Sequence, residues 1–181
     1  LVERYLPLAQ AQIADPLGAR AVAELGCTLM TCDRVAQAAG LFELAQQAAI
    51  EQQDWTLCQE CHEHRAWVHD HRGEIEQSAA RYEAAQGLAL RLGIDRQPAR
   101  IGRAILARRY KELGRYREAL SLLDLTLQEQ QDTQEVALTG TTQADLAGVF
   151  LWLGQPARAL SVMKPPPADA PPLVQRSHHL M

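Results

Sequence analysis

Apolar and polar residues along this chain never alternate over a useful stretch, and β-branched residues are sparse, so the pattern predicts no sheet. Small and apolar residues instead recur at helical spacing, in segments separated by short turns. These segments predict helices over about 3–14, 17–31, 34–50, 53–72, 75–92, 97–113, 116–130, 134–153 and 156–163. The stretch 164–172, KPPPADAPP, is barred from helix by its prolines, and residues 173–181 can begin a further helix.

The turns repeat. The segments around Gly73, Gly114 and Gly154 stack on their glycines with steps of 41 and 40 residues, and a further step of 40 back from Gly73 lands on Asp33. Aspartate suits that place because it tolerates the left-handed conformation and can cap the next helix. Other columns then align. Seven residues before the turn stand Gly26, Ala66, Ala107 and Ala147, all small. Four before it stand Leu29, His69, Tyr110 and Phe150, and nine after it stand Phe42, Tyr82, Leu123 and Met163, nearly all bulky and apolar. Five after it stand Ala38, Ser78, Ala119 and Ala159, again small. Small residues let two helices approach, and large ones fill the space beside them. Chance hardly supplies four such columns in register.

The order small residue, bulky residue, turn glycine, alanine, large residue, as in Ala107, Tyr110, Gly114, Ala119 and Leu123, resembles the tetratricopeptide repeat (TPR). Pro171 lies near the place where a proline often closes that repeat. The chain departs from the family in its period of 40–41 instead of 34, in the missing early tryptophan, and in His69 and Ser78 of the second repeat. The long period is similar to the variant in large bacterial regulators such as the MalT-like transcription activators. The resemblance implies an all-α, right-handed superhelical solenoid of about four helical hairpins forming a single body over 1–181. Residues 1–14 would be the tail of a preceding repeat, 17–50, 53–92, 97–130 and 134–163 the repeats, and 164–181 a Pro-rich segment with the start of a further helix. A solenoid cut at both ends, and a longer native protein, are expected, since stacked repeats need caps.

In the family the first helix of each repeat lines a concave groove, which implies a partner-binding face of Arg20, Glu60, Glu63, Trp67, Asp70, His71, Arg108, Lys111 and Trp152. Cys27, Met30, Thr31, Glu112, Thr141 and Leu151 fall on the same helices. The two tryptophans are expected to anchor a peptide or helix of complementary charge. The family's clamp for C-terminal carboxylates needs Lys, Arg and Asn where this chain has Glu60, Glu63 and Asp70, so a receptor for such tails is disfavoured.

Composition narrows the classes further. The apolar fraction of 47% and charged fraction of 22% are those of a folded globular protein. The abundance of Ala, Leu and Gln favours helix. No apolar run approaches the roughly 18 residues of a membrane span, and no secretion signal opens the sequence. A cytoplasmic place is expected. The net charge of −4 does not suggest nucleic acid. Positive charge is nonetheless concentrated between residues 91 and 118, at Arg91, Arg96, Arg100, Arg103, Arg108, Arg109, Lys111, Arg115 and Arg117. This can be a docking patch for an acidic partner, or a solvated face met by acidic neighbours of the second repeat.

Cys58, Cys61, His62, His64, His69 and His71 crowd one segment. Cys58 to His62 spells C-x-x-C-H, the pattern of covalent haem attachment, but inside a helix that the repeat already explains. Cys58 with His62, or Cys61 with His64, could give two zinc ligands from one helix face, and two more would have to come from elsewhere. Of Cys27 and Cys32 on the neighbouring repeat, only one can face the cluster. The simpler reading is a helix that contains Cys and His, with no metal and no cofactor. No phosphate loop or nucleophile elbow occurs, and catalysis is not expected. The functional expectation is a protein-interaction or ligand-sensing module, the regulatory part of a larger bacterial signalling protein or transcription regulator. Alternatives are the sensor arm of a GGDEF-type nucleotide cyclase, a free-standing adaptor, and a zinc or redox sensor using Cys58–His71. A protein or peptide partner on the concave face is expected, and a small effector or a homodimer is compatible with it.

Overall fold

The structure is a computed structural model that describes residues 13–94, 97–132 and 136–163, together with Pro7 and Ala11. Among the described residues it contains eight helices and no strand. They are α1 (Pro16–Thr31), α2 (Val35–Glu51), α3 (Trp55–His71), α4 (Ile75–Leu92), α5 (Gln97–Glu112), α6 (Tyr116–Asp132), α7 (Val136–Trp152) and α8 (Pro156–Val162). These match the expected helices to within two residues at each end. The helix expected over 3–14, apart from Pro7, Ala11, Ile13 and Ala14, and the segment 164–181 lie outside the described residues.

The turn positions read from the repeat are the positions where the backbone turns left-handed. Asp33, Gly73, Gly114 and Gly154 have φ of 59°, 71°, 74° and 68°. Each ends its helix in the same hydrogen-bonded way. The turn residue N–H donates three residues back, and the next N–H donates five back, as in Gly114 to Lys111 O and Arg115 to Tyr110 O. The turns between hairpins use the same device at Gln53 (φ 57°) and Gly93 (φ 63°), again 40 residues apart. Gln53 gave no signal in the sequence because it is neither Gly nor Asn. At the helix starts, the Asp15 carboxylate accepts from Leu17 N (3.2 Å) and Asp54 from Leu57 N (2.9 Å).

The chain forms two compact units, Leu1–Gly102 and Arg103–Met181. In the first, α1 packs on α2, α2 on α3 and α3 on α4, and α1 also touches α3. Its core gathers Val22, Leu29, Met30, Leu41, Phe42, Ala45, Leu57, Cys58, Cys61 and Val68. In the second, α6 packs on α7 and α7 on α8, and Leu123, Leu146, Val149 and Phe150 are buried. The small columns make these approaches possible. Ala38, Ala66, Ala107 and Ala119 are fully buried, and a Cβ on Gly26 would stand only 2.5 Å from Cε1 of Phe42.

In three repeats the residue four before the turn meets a charged side chain. The Arg115 guanidinium lies 3.9 Å from the Tyr110 ring centroid, and that of Arg158 lies 4.2 Å from Phe150. In the second repeat His69 takes the place, and its Nδ1 meets Glu74 Oε2 at 2.6 Å. Ser78, the other departure from the pattern, is fully buried, and its hydroxyl has no partner among the described residues.

Candidate functional site

Within each unit, polar contacts at equivalent repeat positions join the first helices of successive repeats. Arg20 of α1 donates to Glu60 of α3 (3.3 Å) and to Asp54 (3.0 Å). Arg20 and Glu60 each stand thirteen residues before their own turn. Cys27 Sγ lies 3.4 Å from His64 Nε2, six and nine residues before the respective turns. In the second unit the same two positions hold Arg108 and Asp145, paired at 2.7 Å. Asp145 also takes Lys111, whose Nζ stands 3.5 Å away. Its carboxylate is only 12% exposed, and the two cations offset the cost of burying it.

The structure therefore places the nominated residues in several environments. Arg20, Glu60, Arg108 and Lys111 are half-buried and engaged between helices. The Glu63 carboxylate occupies the space where a Cβ on Gly102 would stand, which explains a glycine inside α5. Trp67 packs against the core of the first unit and meets the edge of His71, ring centroids 5.7 Å apart. Asp70 is half-buried and His71 exposed. Trp152 is 72% exposed, beside Leu151 at 59%. Thr31, His71, Glu112 and Trp152 all stand two residues before their turns. Thr31, His71 and Trp152 are exposed, and Glu112 is partly so. This column is where the first helices present side chains outward.

Four arginines of the basic segment form ion pairs within the second unit. Arg103 bonds Glu129 (2.6 Å), Arg108 bonds Asp145, Arg109 bonds Glu112 (2.6 Å), and Arg115 bonds Glu118 (2.5 Å). These four acids belong to the third and fourth repeats.

Of the two candidate neighbouring thiols, Cys27 faces the Cys–His segment and Cys32 is exposed. Cys58 and Cys61 are buried in the core. Burial pushes the Cys61 thiol up to about 12 and that of Cys27 up to about 11, and raises Cys58 as well. Burial also lowers His64, whose ring stacks on Phe42 with centroids 4.9 Å apart. His62 is pushed down to about 4 by burial and by Arg81 and Arg65. Its Nε2 accepts from Gln46 Nε2 (2.9 Å), while Gln46 Oε1 accepts from Arg65 (2.6 Å). Burial thus favours the protonated thiol at Cys27, Cys58 and Cys61 and the neutral imidazole at His62 and His64. Among the described residues no three His, Cys, Asp or Glu side chains gather as a metal site. Buried thiols are also unsuited to covalent haem attachment, which needs them accessible.

The sequence reading missed Phe42 as the partner of His64, Asp145 as a shared counter-ion, and Asp54 as partner of Arg20. For the polar pairs the available signal was the spacing of 34–40 residues that separates each of them.

Stacked hairpins of this kind can be compared with solved structures. A kinesin light chain-like protein of Podosopora anserina, with nearly identical TPR-like repeats, superposes with a TM-score of 0.75 at 18% identity, over 99% of this chain and 87% of that one. The chain has a TPR-like fold. A second structure of that kind gives 0.72 at 17% identity, over 98% of this chain and 85% of the other. BtubC (BKLC) from P. vanneervenii gives 0.77 at 17% identity, covering 99% and 81%. No protein-family model matches the sequence, and no curated protein matches it. Among the described residues of this TPR-like chain, no helix is long and apolar enough to cross a membrane.

Proposed function

We propose that this TPR-like chain is a protein-interaction module, itself non-catalytic, serving as the regulatory part of a larger bacterial signalling protein or transcription regulator in the cytoplasm. The observation that carries the proposal is the outward column on the first helices. Thr31, His71, Glu112 and Trp152 occupy one repeat position and reach solvent, while the helices around them are held by buried small and bulky columns. Within each unit, a helical scaffold that displays one side chain per repeat can read a partner. In each unit the half-buried ion pairs, Arg20 with Glu60 and Arg108 with Asp145, hold the first helices in place. The partner then contacts the groups beside them. In the first unit this is the exposed His71 with Trp67 and Asp70, and in the second it is the exposed Trp152.

The test is capture of a protein partner by the whole chain, followed by His71→Ala with Trp152→Ala in one variant. Partner affinity should fall at least tenfold while the thermal midpoint stays put, since both side chains are exposed. Unchanged affinity in that variant would remove the proposal.

A further inference from the structure

Arginines that reach between helices in this chain meet carboxylates, as Arg20 meets Glu60 and Asp54, Arg103 meets Glu129 and Arg108 meets Asp145. Arg81 of α4 departs from this. It is half-buried, yet among the described residues it makes no hydrogen bond and no ion pair. It stands eight residues after Gly73, and Arg65 of α3 stands eight before, so the antiparallel α3–α4 hairpin sets the two arginines at one level. Burial lowers Arg81, the nearby Arg65 charge lowers it further, and Glu43 of α2 acts the other way. Two like charges thus lie close together with one carboxylate near both. Arg65 is already held in place. Its Nη1 donates to Gln46 Oε1 (2.6 Å) and its Nη2 to Glu43 Oε1 (2.9 Å). Gln46 is only 6% exposed, and its Nε2 donates to His62 Nε2. The group that orients the Arg65 guanidinium is therefore a neutral amide, backed by an imidazole that burial keeps neutral. It fixes the arginine without cancelling its charge. Glu43 does carry a charge, but its side chain is 69% exposed, and so exposed a partner contributes little and can turn away.

We propose that Arg65 and Arg81 together bind a phosphate group on the first unit, with Glu43 giving way as it enters. Phosphate suits the pair in geometry and in charge. Its tetrahedral oxygens can accept from two guanidinium groups at once, whereas the Glu43 carboxylate bonds Arg65 and leaves Arg81 unmatched. A phosphate ester carries about −1.5 to −2 charge near neutral pH, which matches two arginines better than one carboxylate does. Because Gln46 holds Arg65 beforehand, little side-chain freedom is lost on binding. The same chemistry is offered by a phosphorylated residue of a partner and by a small phosphorylated molecule. The site uses none of Thr31, His71, Glu112 and Trp152, so it stands independently of the interaction-module proposal.

The probe is inorganic phosphate, titrated against the whole chain at fixed ionic strength with chloride as the balancing anion, while the arginine Nε–H signals are followed by NMR. Saturable movement of the Arg65 and Arg81 signals is expected in the millimolar range. Arg81→Gln should weaken binding at least about tenfold, and Arg91→Gln, which removes an exposed arginine of the same helix, should leave it unchanged. Glu43→Gln removes the competing carboxylate and should tighten binding severalfold, a gain that misfolding cannot produce. A short phosphoserine peptide that binds more tightly than free phosphate would put the ligand on a partner protein, and equal affinity would make it a small molecule. Absence of saturable movement, equal binding to the Arg81→Gln chain, or no tightening by Glu43→Gln overturns the inference. So does acetate moving the two signals as far as phosphate does, since the pair would then take any carboxylate.

Discussion

Gly26→Ala sets two effects of known sign against each other. Gly26 lies inside α1, where alanine is favoured over glycine by about 1 kcal/mol. Its added Cβ, however, would stand 2.5, 2.9 and 3.0 Å from Cε1, Cδ1 and Cζ of Phe42. Phe42 cannot simply swing aside, because it is fully buried and its ring stacks on His64 at 4.9 Å. Overpacking of this kind costs about 1–3 kcal/mol. The balance is a net loss of about 1 kcal/mol, or a fall of roughly 2–4 °C in the thermal midpoint for a chain of this size. Gly40→Ala is the control: it sits in α2, where an added methyl group would meet nothing within 4 Å, and should gain about 0.5–1 kcal/mol. The two variants should therefore differ by about 2 kcal/mol in urea unfolding followed by far-UV circular dichroism. Adding Phe42→Leu to Gly26→Ala should recover part of the loss, a coupling that the double-mutant cycle reads directly. A Gly26→Ala chain as stable as Gly40→Ala would refute the claim that the small column is a packing requirement.

The left-handed turns predict a pair of opposite changes. Gly114→Ala, at φ 74°, should cost about 1 kcal/mol, while Gln53→Gly, at φ 57°, should stabilise the chain by up to about 1 kcal/mol, both measured by thermal midpoint. His62 and His64 make the first unit acid-sensitive. With His62 held down to about 4 against the ordinary 6.5, the unfolded chain takes up its proton first. Its contribution is complete above pH 6.5 and is lost as pH falls towards about 4, and His64, also lowered, acts in the same direction. His62→Gln should flatten the dependence of the midpoint on pH across that window, and an unchanged slope would contradict it. Thiol titration with a disulfide reagent near neutral pH should show Cys32 reacting fast and Cys58 and Cys61 only as the chain unfolds. Fast reaction of either buried thiol would mean that the core opens readily.

The features legible in the sequence are local or strictly periodic. A glycine at a left-handed turn is legible because few other residues adopt that conformation cheaply, and three such glycines with Asp33 marked the repeat. Small residues at Ala38, Ala66, Ala107 and Ala119, and bulky ones at Phe42 and Leu123, were legible because a stacked hairpin needs the same volume at the same place each time. The turn at Gln53 was not legible, because glutamine has no particular preference for its conformation and is held there by the helices on either side. The fate of each polar side chain was decided only in three dimensions. Arg20 and Arg108 read alike in sequence as groove residues, yet both are drawn into pairs with acids 37–40 positions away. Trp67 and Trp152 read alike as anchors, but one lies against a core and the other stands in solvent. The reason is that periodicity fixes which face of a helix a residue occupies, whereas exposure and pairing depend on what the next helix brings to that face.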